Sequence, residues 1–444
     1  MIYGHCLGDA VGLITEFKIK ADKPIIKFPY TEPIDNYQVC DWSDDTDHLI
    51  LVMQTLIDTA DIDCQNINNI LNTFAVRLKH WAEKGFPELG DTKGLGIGGT
   101  TSVILKHEKY STNPVEAATD IWCKSGKRLA PNGSLMRTSI LSALDKPTLV
   151  EKFSFHLSLI THVDPRCISS CVFLNSCLYS LIHENAPIDI IVARAATASK
   201  KYIDIDIAGV GAMAASPPTT PTISTAAPPL STPSVTSTAS APSEPDYRTI
   251  SGGSFKSRND EMAWWVKTGY TKTINELKLD EPGKIGYVFK CLGSVAYSLQ
   301  VLKYAQTNNQ LPSFKKIIIK IAEECGDADT NCAVAGAVIG AYIGYDRLPR
   351  DWLEALPHKK WLDSYIDKFI SKFIIGDPQA PLPPTTPTPL PASQLQPASP
   401  LPAPQLHSQP NSTTEYYPES VHHQELPNAS FDTSVEALIE EYHL

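Results

Sequence analysis

The sequence predicts an all-α fold. Three observations predict it: apolar residues recur at helical spacing over most of the chain, clean two-residue alternation is almost absent, and short polar turns separate the apolar stretches. With 444 residues, 42% hydrophobic and 20% charged, there is apolar material for a sizeable core. At about 100–200 residues per domain, length alone allows two or three domains. The 35 prolines lower that number. More than half of them fall in 214–246 and 377–430, whose composition packs no core. One large domain is therefore expected over 1–376, with a disordered low-complexity insertion at 214–246 and a disordered proline-rich tail over 377–444.

Along the chain, Gly8-Asp9-Ala10-Val11-Gly12 opens the first helix, with Glu16 downstream. On a continuous helix Asp9 and Glu16 share a face two turns apart, and Gly8 and Gly12 allow another backbone to approach. Alone, the cluster reads better as a solvated acidic face on an amphipathic helix. Ile50, Leu51, Met53, Leu56 and Ile57 mark a second helix; Ile67, Ile70, Leu71, Phe74 and Leu78 mark a third. Cys167, Cys171, Phe173, Leu174, Leu178 and Leu181 form a later stripe, as do Val288, Cys291, Leu292, Val295, Leu299 and Leu302. Tyr202–Ile207 is the one stretch that alternates, and it is not read as a strand. In the tail, Pro381, Pro383, Pro384, Pro387 and Pro389 favour an extended polyproline chain. Val435, Leu438, Ile439 and Tyr442 suit a short terminal amphipathic helix. SH3- or WW-type readers of the proline runs are one reading; a passive tail is preferred on composition.

Charge and cysteines exclude several classes. Against 49 acidic residues stand 38 basic ones, a net charge of −11. That balance argues against nucleic-acid binding through bulk electrostatics while leaving room for a local anion pocket. No run of about 18 apolar residues occurs, so no membrane span is expected. The N-terminus lacks the pattern of a signal peptide. Ten scattered cysteines without a CxxC pair read as reduced thiols, which suits a cytoplasmic or nuclear protein. A monomer is expected.

The chemistry is concentrated in two acidic clusters. Asp41-Trp42-Ser43-Asp44-Asp45-Thr46-Asp47 precedes an apolar helix. Helix capping accounts for one or two of these side chains but not for four carboxylates in seven positions. Like charges so close repel unless a cation lies among them, and carboxylates flanking a hydroxyl suit a hard ion. Gly326-Asp327-Ala328-Asp329-Thr330-Asn331 repeats that chemistry at the start of a helix of small residues. There Ala333, Ala337 and Ala341, and Gly336, Gly340 and Gly344, recur every four positions, which lets a neighbouring helix come very close. Two such half-sites joined make an oxygen-only centre for two Mg²⁺ or Mn²⁺ ions about 3.5–4 Å apart, suited to hydrolysis. Two further turns suit a ligand pocket: Lys93-Gly94-Leu95-Gly96-Ile97-Gly98-Gly99-Thr100-Thr101, which opens a helix as phosphate-binding turns do, and Pro131-Asn132-Gly133-Ser134-Leu135-Met136-Arg137. Both, like Thr161-His162-Val163-Asp164, also read as ordinary loop chemistry.

In this order the motifs GDAVG, WSDDT, the glycine-rich turn, NGSLMR, TH and GDADTN resemble those of the ADP-ribosylglycohydrolase family, from residue 4 to about 345. The resemblance implies a compact, orthogonal all-α bundle with a dinuclear magnesium centre at the floor of a cleft. It implies hydrolysis of the bond between ADP-ribose and a protein side chain or related acceptor, the partner being an ADP-ribosylated protein or ADP-ribose derivative. By position, Ser43, Asp44, Asp45, Asp327, Asp329 and Thr330 are the implied metal ligands. Glu16 is the implied ligand, gate or acid–base carboxylate, with Asp9 supporting from behind. Gly94, Gly96, Gly98, Asn132, Gly133, Ser134 and His162 are implied to line the ADP-ribose pocket. One departure is Asp47-His48, where the family has Met two residues after the Thr of WSDDT; His48 is expected to face the core. The alternative is a non-catalytic ADP-ribose-binding or crystallin-like relative. Retention of all six ligands and Glu16 favours the enzyme.

Overall fold

Helices carry almost all the regular structure, as the apolar periodicity requires. The computed structural model describes residues 1–22, 24–59, 67–207 and 255–374. The insertion at 214–246, the proline-rich tail and the terminal helix expected within it lie outside the described residues. In chain order come α1 (Ile2–Gly12), α2 (Asp44–Asp58), α3 (Ile67–Lys84), α4 (Gly99–Leu105) and α5 (Pro114–Lys124). Next are α6 (Pro147–Leu159), α7 (Pro165–His183), α8 (Ile188–Ile203), α9 (Arg258–Thr271) and α10 (Val288–Thr307). The described residues close with α11 (Phe314–Ala322), α12 (Ala328–Ile343), α13 (Arg350–Ala355) and α14 (Lys359–Phe373). Among the described residues there is no strand, only isolated bridges pairing Ile34 with Tyr37 and Pro131 with Tyr287. No described helix is long and apolar enough to cross a membrane.

The apolar stripes bury as their spacing demands. Ile67, Ile70, Leu71, Phe74 and Leu78 of α3 and Cys167, Cys171, Phe173, Leu174 and Leu178 of α7 all join one core. Each such large side chain contributes about 1.5–3 kcal/mol on burial. The alternating Tyr202–Ile207 stretch starts as the last turn of α8, which explains why its pattern led to no strand. Among the described residues the cysteines are all free thiols, and all but Cys123 are buried.

Two contacts position the site. The first joins α1 to α12, elements from opposite ends of the domain. Gly4, Gly8 and Gly12 lie against the backbone of Gly336, Cys332 and Ala328 in turn, and a Cβ on any of them would overlap a carbonyl of α12. Only glycine permits this separation. The facing row is Ala328, Cys332, Gly336 and Gly340, with the Ala333 backbone nitrogen also against Gly8; of the predicted glycine row, Gly344 is instead the C-cap at φ 81°. The second contact is the end of α2, where Lys372 of α14 donates from Nζ to the carbonyls of Leu56 (3.1 Å), Ile57 (2.6 Å) and Thr59. A lysine on the last carbonyls satisfies orphan acceptors and complements the helix dipole.

One expectation fails in detail. Asp9 and Glu16 do not share one helix face, because α1 ends at Gly12, a 3₁₀ turn spans Leu13–Thr15, and Glu16 follows in extended backbone. Thr15 fixes that break by donating from Oγ1 to the Ala322 carbonyl at 2.8 Å.

Candidate active site

Asp9 ties α1 to the start of α2. Its Oδ1 accepts from the Ser43 backbone N–H (3.0 Å), and its Oδ2 accepts from Thr46 N–H (3.0 Å) and Thr46 Oγ1 (2.6 Å). With both oxygens engaged, Asp9 sets the turn that presents Ser43, Asp44 and Asp45. Ser43 is the N-cap of α2, its Oγ accepting from Asp45 N–H. The same Oγ stands 3.3 Å from Asp45 Oδ2 and 3.2 Å from Asp329 Oδ2, with one proton to share between them. From α12, Thr330 donates through Oγ1 to Asp45 Oδ2 at 3.2 Å. Asn132 donates through Nδ2 to Asp327 Oδ2 at 2.5 Å, and its backbone N–H is held by the Gly286 carbonyl at 3.0 Å.

Two oxygens are left over. Asp45 Oδ1 and Asp329 Oδ1 are buried with no hydrogen-bond partner, an expensive state for a carboxylate. Ligand oxygens of Asp9, Asp45 and Asp329 lie within 4.8 Å of one another, and those of Glu16, Asp327 and Asp329 form a second such triad. The side chains that donate to Asp9, Asp45, Asp327 and Asp329 are the neutral groups already named. Burial first, then mutual repulsion, holds Asp44, Asp45 and Asp329 well above the usual carboxylate range. Asp9 is pushed up to about 6 by burial, against the pull of its hydrogen bonds. Glu16 is pushed up to about 8 by burial and by the charges of Asp327 and Asp9. Buried, crowded, donor-poor carboxylates of this kind fit divalent cations, whose charge removes the repulsion and fills the orphan valences.

These groups floor a cavity of about 230 Å³. Glu16, Asp44, Asp45, Asp327, Asp329 and Thr330 line it together with Gly96, Gly98, Asn132, Gly133 and His162. Gly96, at φ +78°, is required where it stands: a Cβ there would lie 2.5 Å from both Asp44 Oδ1 and Tyr37 Oη. Two implied pocket residues stand elsewhere. Gly94 packs on the face of Trp81. Ser134 is fully buried behind the wall, its Oγ 2.9 Å from Ser158 Oγ and accepting from Cys171 Sγ. Of the other acidic residues near WSDDT, Asp47 accepts from the indoles of Trp42 (2.8 Å) and Trp81 (3.0 Å), and Asp41 lies 3.5 Å from His358 Nε2. His48 faces the core, its ring edge-on to Trp81 at 4.5 Å.

A family model for ADP-ribosylglycohydrolase matches residues 1–378. The chain belongs to the ADP-ribosylglycohydrolase family. Among curated proteins, the ADP-ribosylarginine hydrolase Tri1 of Serratia proteamaculans (strain 568) is 22% identical over 373 residues, 83% of this chain and 77% of that protein. A solved structure described as an ADP-ribosylglycohydrolase-related protein complex aligns with a TM-score of 0.50 at 17% identity, covering 83% of this chain and 94% of the other, which bears on the fold alone. Membership makes the protein a glycohydrolase of ADP-ribosyl linkages. This glycohydrolase also brings to its cleft Phe17 and Ile285, which the sequence did not single out, beside Thr101 and Met136 from the two predicted pocket turns. Tyr37, whose hydroxyl is held protonated by burial and by Asp44, was equally hidden. All five sit in loops or on a short helix, where no apolar period indicates which way a side chain faces.

Proposed function

We propose that the protein hydrolyses the glycosidic bond between ADP-ribose and a protein side chain, in a cleft whose acidic floor holds divalent cations. The observation that carries this reading is the pair of buried, donorless oxygens, Asp45 Oδ1 and Asp329 Oδ1, at the floor of a cavity also lined by Glu16. Ser43, Asp44, Asp45, Asp327, Asp329 and Thr330 would hold two magnesium ions, or manganese in their place. Such ions, when bound, orient hydroxyl groups and lower the pKa of water. Glu16, half-buried at the edge of the floor, is the carboxyl group that moves a proton at its Oε atoms as the side chain departs. A carboxyl group and a positioned water share this work in glycoside hydrolysis generally. Gly96, Gly98, Asn132, Gly133 and His162 bind the ADP-ribose portion, while Gly94 and Ser134 shape the wall from behind. Arginine is the first acceptor to test, because a relative of the chain is named an ADP-ribosylarginine hydrolase.

The test uses peptides carrying ADP-ribose on arginine or on serine, with products read by mass spectrometry. Release of intact ADP-ribose is expected, abolished by chelation and restored by Mg²⁺ or Mn²⁺. Turnover indifferent to thorough chelation would overturn the cation centre. Release of AMP would overturn the choice of bond.

A further inference from the structure

The buried Arg137 is not used by the chemistry above. It is fully enclosed, stacked over the Phe74 ring at 4.9 Å, and among the described residues no carboxylate pairs with it. Its Nη2 donates to the Leu157 carbonyl (2.9 Å) and to Thr161 Oγ1 (2.8 Å). Thr161 Oγ1 in turn lies 2.7 Å from His162 Nδ1. A guanidinium has donors only, so Thr161 must accept from it. Among the described residues His162 Nδ1 is the one acceptor within reach of the hydroxyl proton that remains, so pairing that proton makes Nδ1 the acceptor. An acceptor at Nδ1 puts the proton of a neutral imidazole on Nε2. Nε2 has no partner among the described residues and lies beside Gly133, which lines the cavity: a Cβ on Gly133 would be 3.1 Å from it. Ser158 holds the His162 backbone, donating from Oγ to its carbonyl (2.8 Å), while the Ser158 backbone carbonyl accepts the His162 N–H (2.7 Å).

We propose that Arg137 and Thr161 are positioning residues that lock His162 as a neutral imidazole with its Nε2–H toward the cleft, making it a hydrogen-bond donor to an acceptor oxygen of the ligand and not a proton acceptor. Burial and the neighbouring Arg137 charge also oppose a second proton on the ring, while Arg137, lowered only to about 10, keeps its own charge at neutral pH. The donor role rests on the ADP-ribosyl substrate proposed above; the tautomer does not.

The experiment is ¹⁵N NMR of the full chain labelled at histidine, near pH 7, with the His162 signals assigned by loss in His162→Asn. Protonated Nε2 and unprotonated Nδ1 are expected in the wild type and in Thr161→Ser. In Thr161→Val the two tautomers should mix. The Kd for ADP-ribose, and KM with kcat nearly unchanged, should rise about threefold to tenfold, the scale of one neutral hydrogen bond. Thr161→Ser should restore both. A proton on Nδ1, or an imidazolium, in the wild type overturns the proposal, and that measurement stands even if Thr161→Val does not fold. So does a folded Thr161→Val with unchanged tautomer and affinity. A locked tautomer in a chain that ignores ADP-ribose would overturn the donor role and the substrate reading but leave the lock in place.

Discussion

At the scale of single residues, the same carboxylate has opposite effects with and without cations. Asp329 Oδ1 is buried and donorless, and the group is surrounded by Asp45, Glu16 and Asp327. Asp329→Asn is expected to abolish turnover while the metal-free protein melts at the wild-type temperature or above, because one repelling charge is gone. Mg²⁺ is expected to raise the Tm of the wild type, and that rise should shrink or vanish in the variant, since ligand-linked stability scales with binding to the native state. Melting curves across Mg²⁺ concentration decide this; a Tm that ignores Mg²⁺ in both proteins would reduce the cluster to helix caps. A pH effect follows with a definite sign. Glu16 rises from 4.5 to about 8 and Asp9 from 3.8 to about 6 on folding. The folded state therefore binds these protons more tightly than the unfolded one. Their contribution is fully present below the unfolded values and is lost as pH rises through the folded ones. The chelated protein should thus lose Tm steadily between about pH 4.5 and about 8. Glu16→Gln should flatten the upper part of that decline, and a chelated Tm that climbs across this window would contradict it. The acidic ligand candidates were legible because four carboxylates at one helix start exceed what capping needs. Gly94 and Ser134 were misplaced because irregular turns have no period that tells inside from outside.

At the scale of elements, the glycine row on α1 is a fitted surface. A methyl group on Gly8 meets the Cys332 carbonyl, which belongs to a helix backbone and cannot rotate aside. Gly8→Ala is expected to cost about 1–3 kcal/mol or more, the range for overpacking. Gly99→Ala, with nothing within 4 Å of the new atom, should leave stability nearly unchanged. Urea midpoints of the two variants test the contrast, and equal midpoints would remove the fitted contact from the account. Activity should fall with stability in Gly8→Ala, because the neighbouring Asp9 holds Ser43 and Thr46 in place. The close approach itself was legible in the small residues of Gly326–Ala341. Its partner was not, because nothing local in a sequence says which distant helix will fill a small-residue groove. The break after Gly12 was hidden for a related reason: it is fixed by the Ala322 carbonyl, far along the chain.

At the scale of the whole molecule, the family match ends at residue 378. The composition beyond it is unable to offset the entropy of ordering a packed structure. Deleting Pro378–Leu444 should therefore leave Tm and turnover close to those of the full chain. A large loss of either on deletion would show that the tail docks on the domain. The all-α class was legible throughout, because helical periodicity needs only neighbours in sequence. Which loops line the cleft needed the folded chain.

The contact between α1 and α12 also bears on how the protein comes into being. Ser43 and Asp329, which meet across the floor of the cleft, are 286 positions apart. During synthesis α1 emerges long before α12 and has no glycine-rich surface to lie on until that helix has been made. Closing so long a loop is slow, even though its entropy grows only logarithmically with length. The nascent chain therefore carries an exposed glycine ridge and half an acidic site for most of its translation. Catalytic competence arrives late and all at once, when the last third of the domain leaves the ribosome.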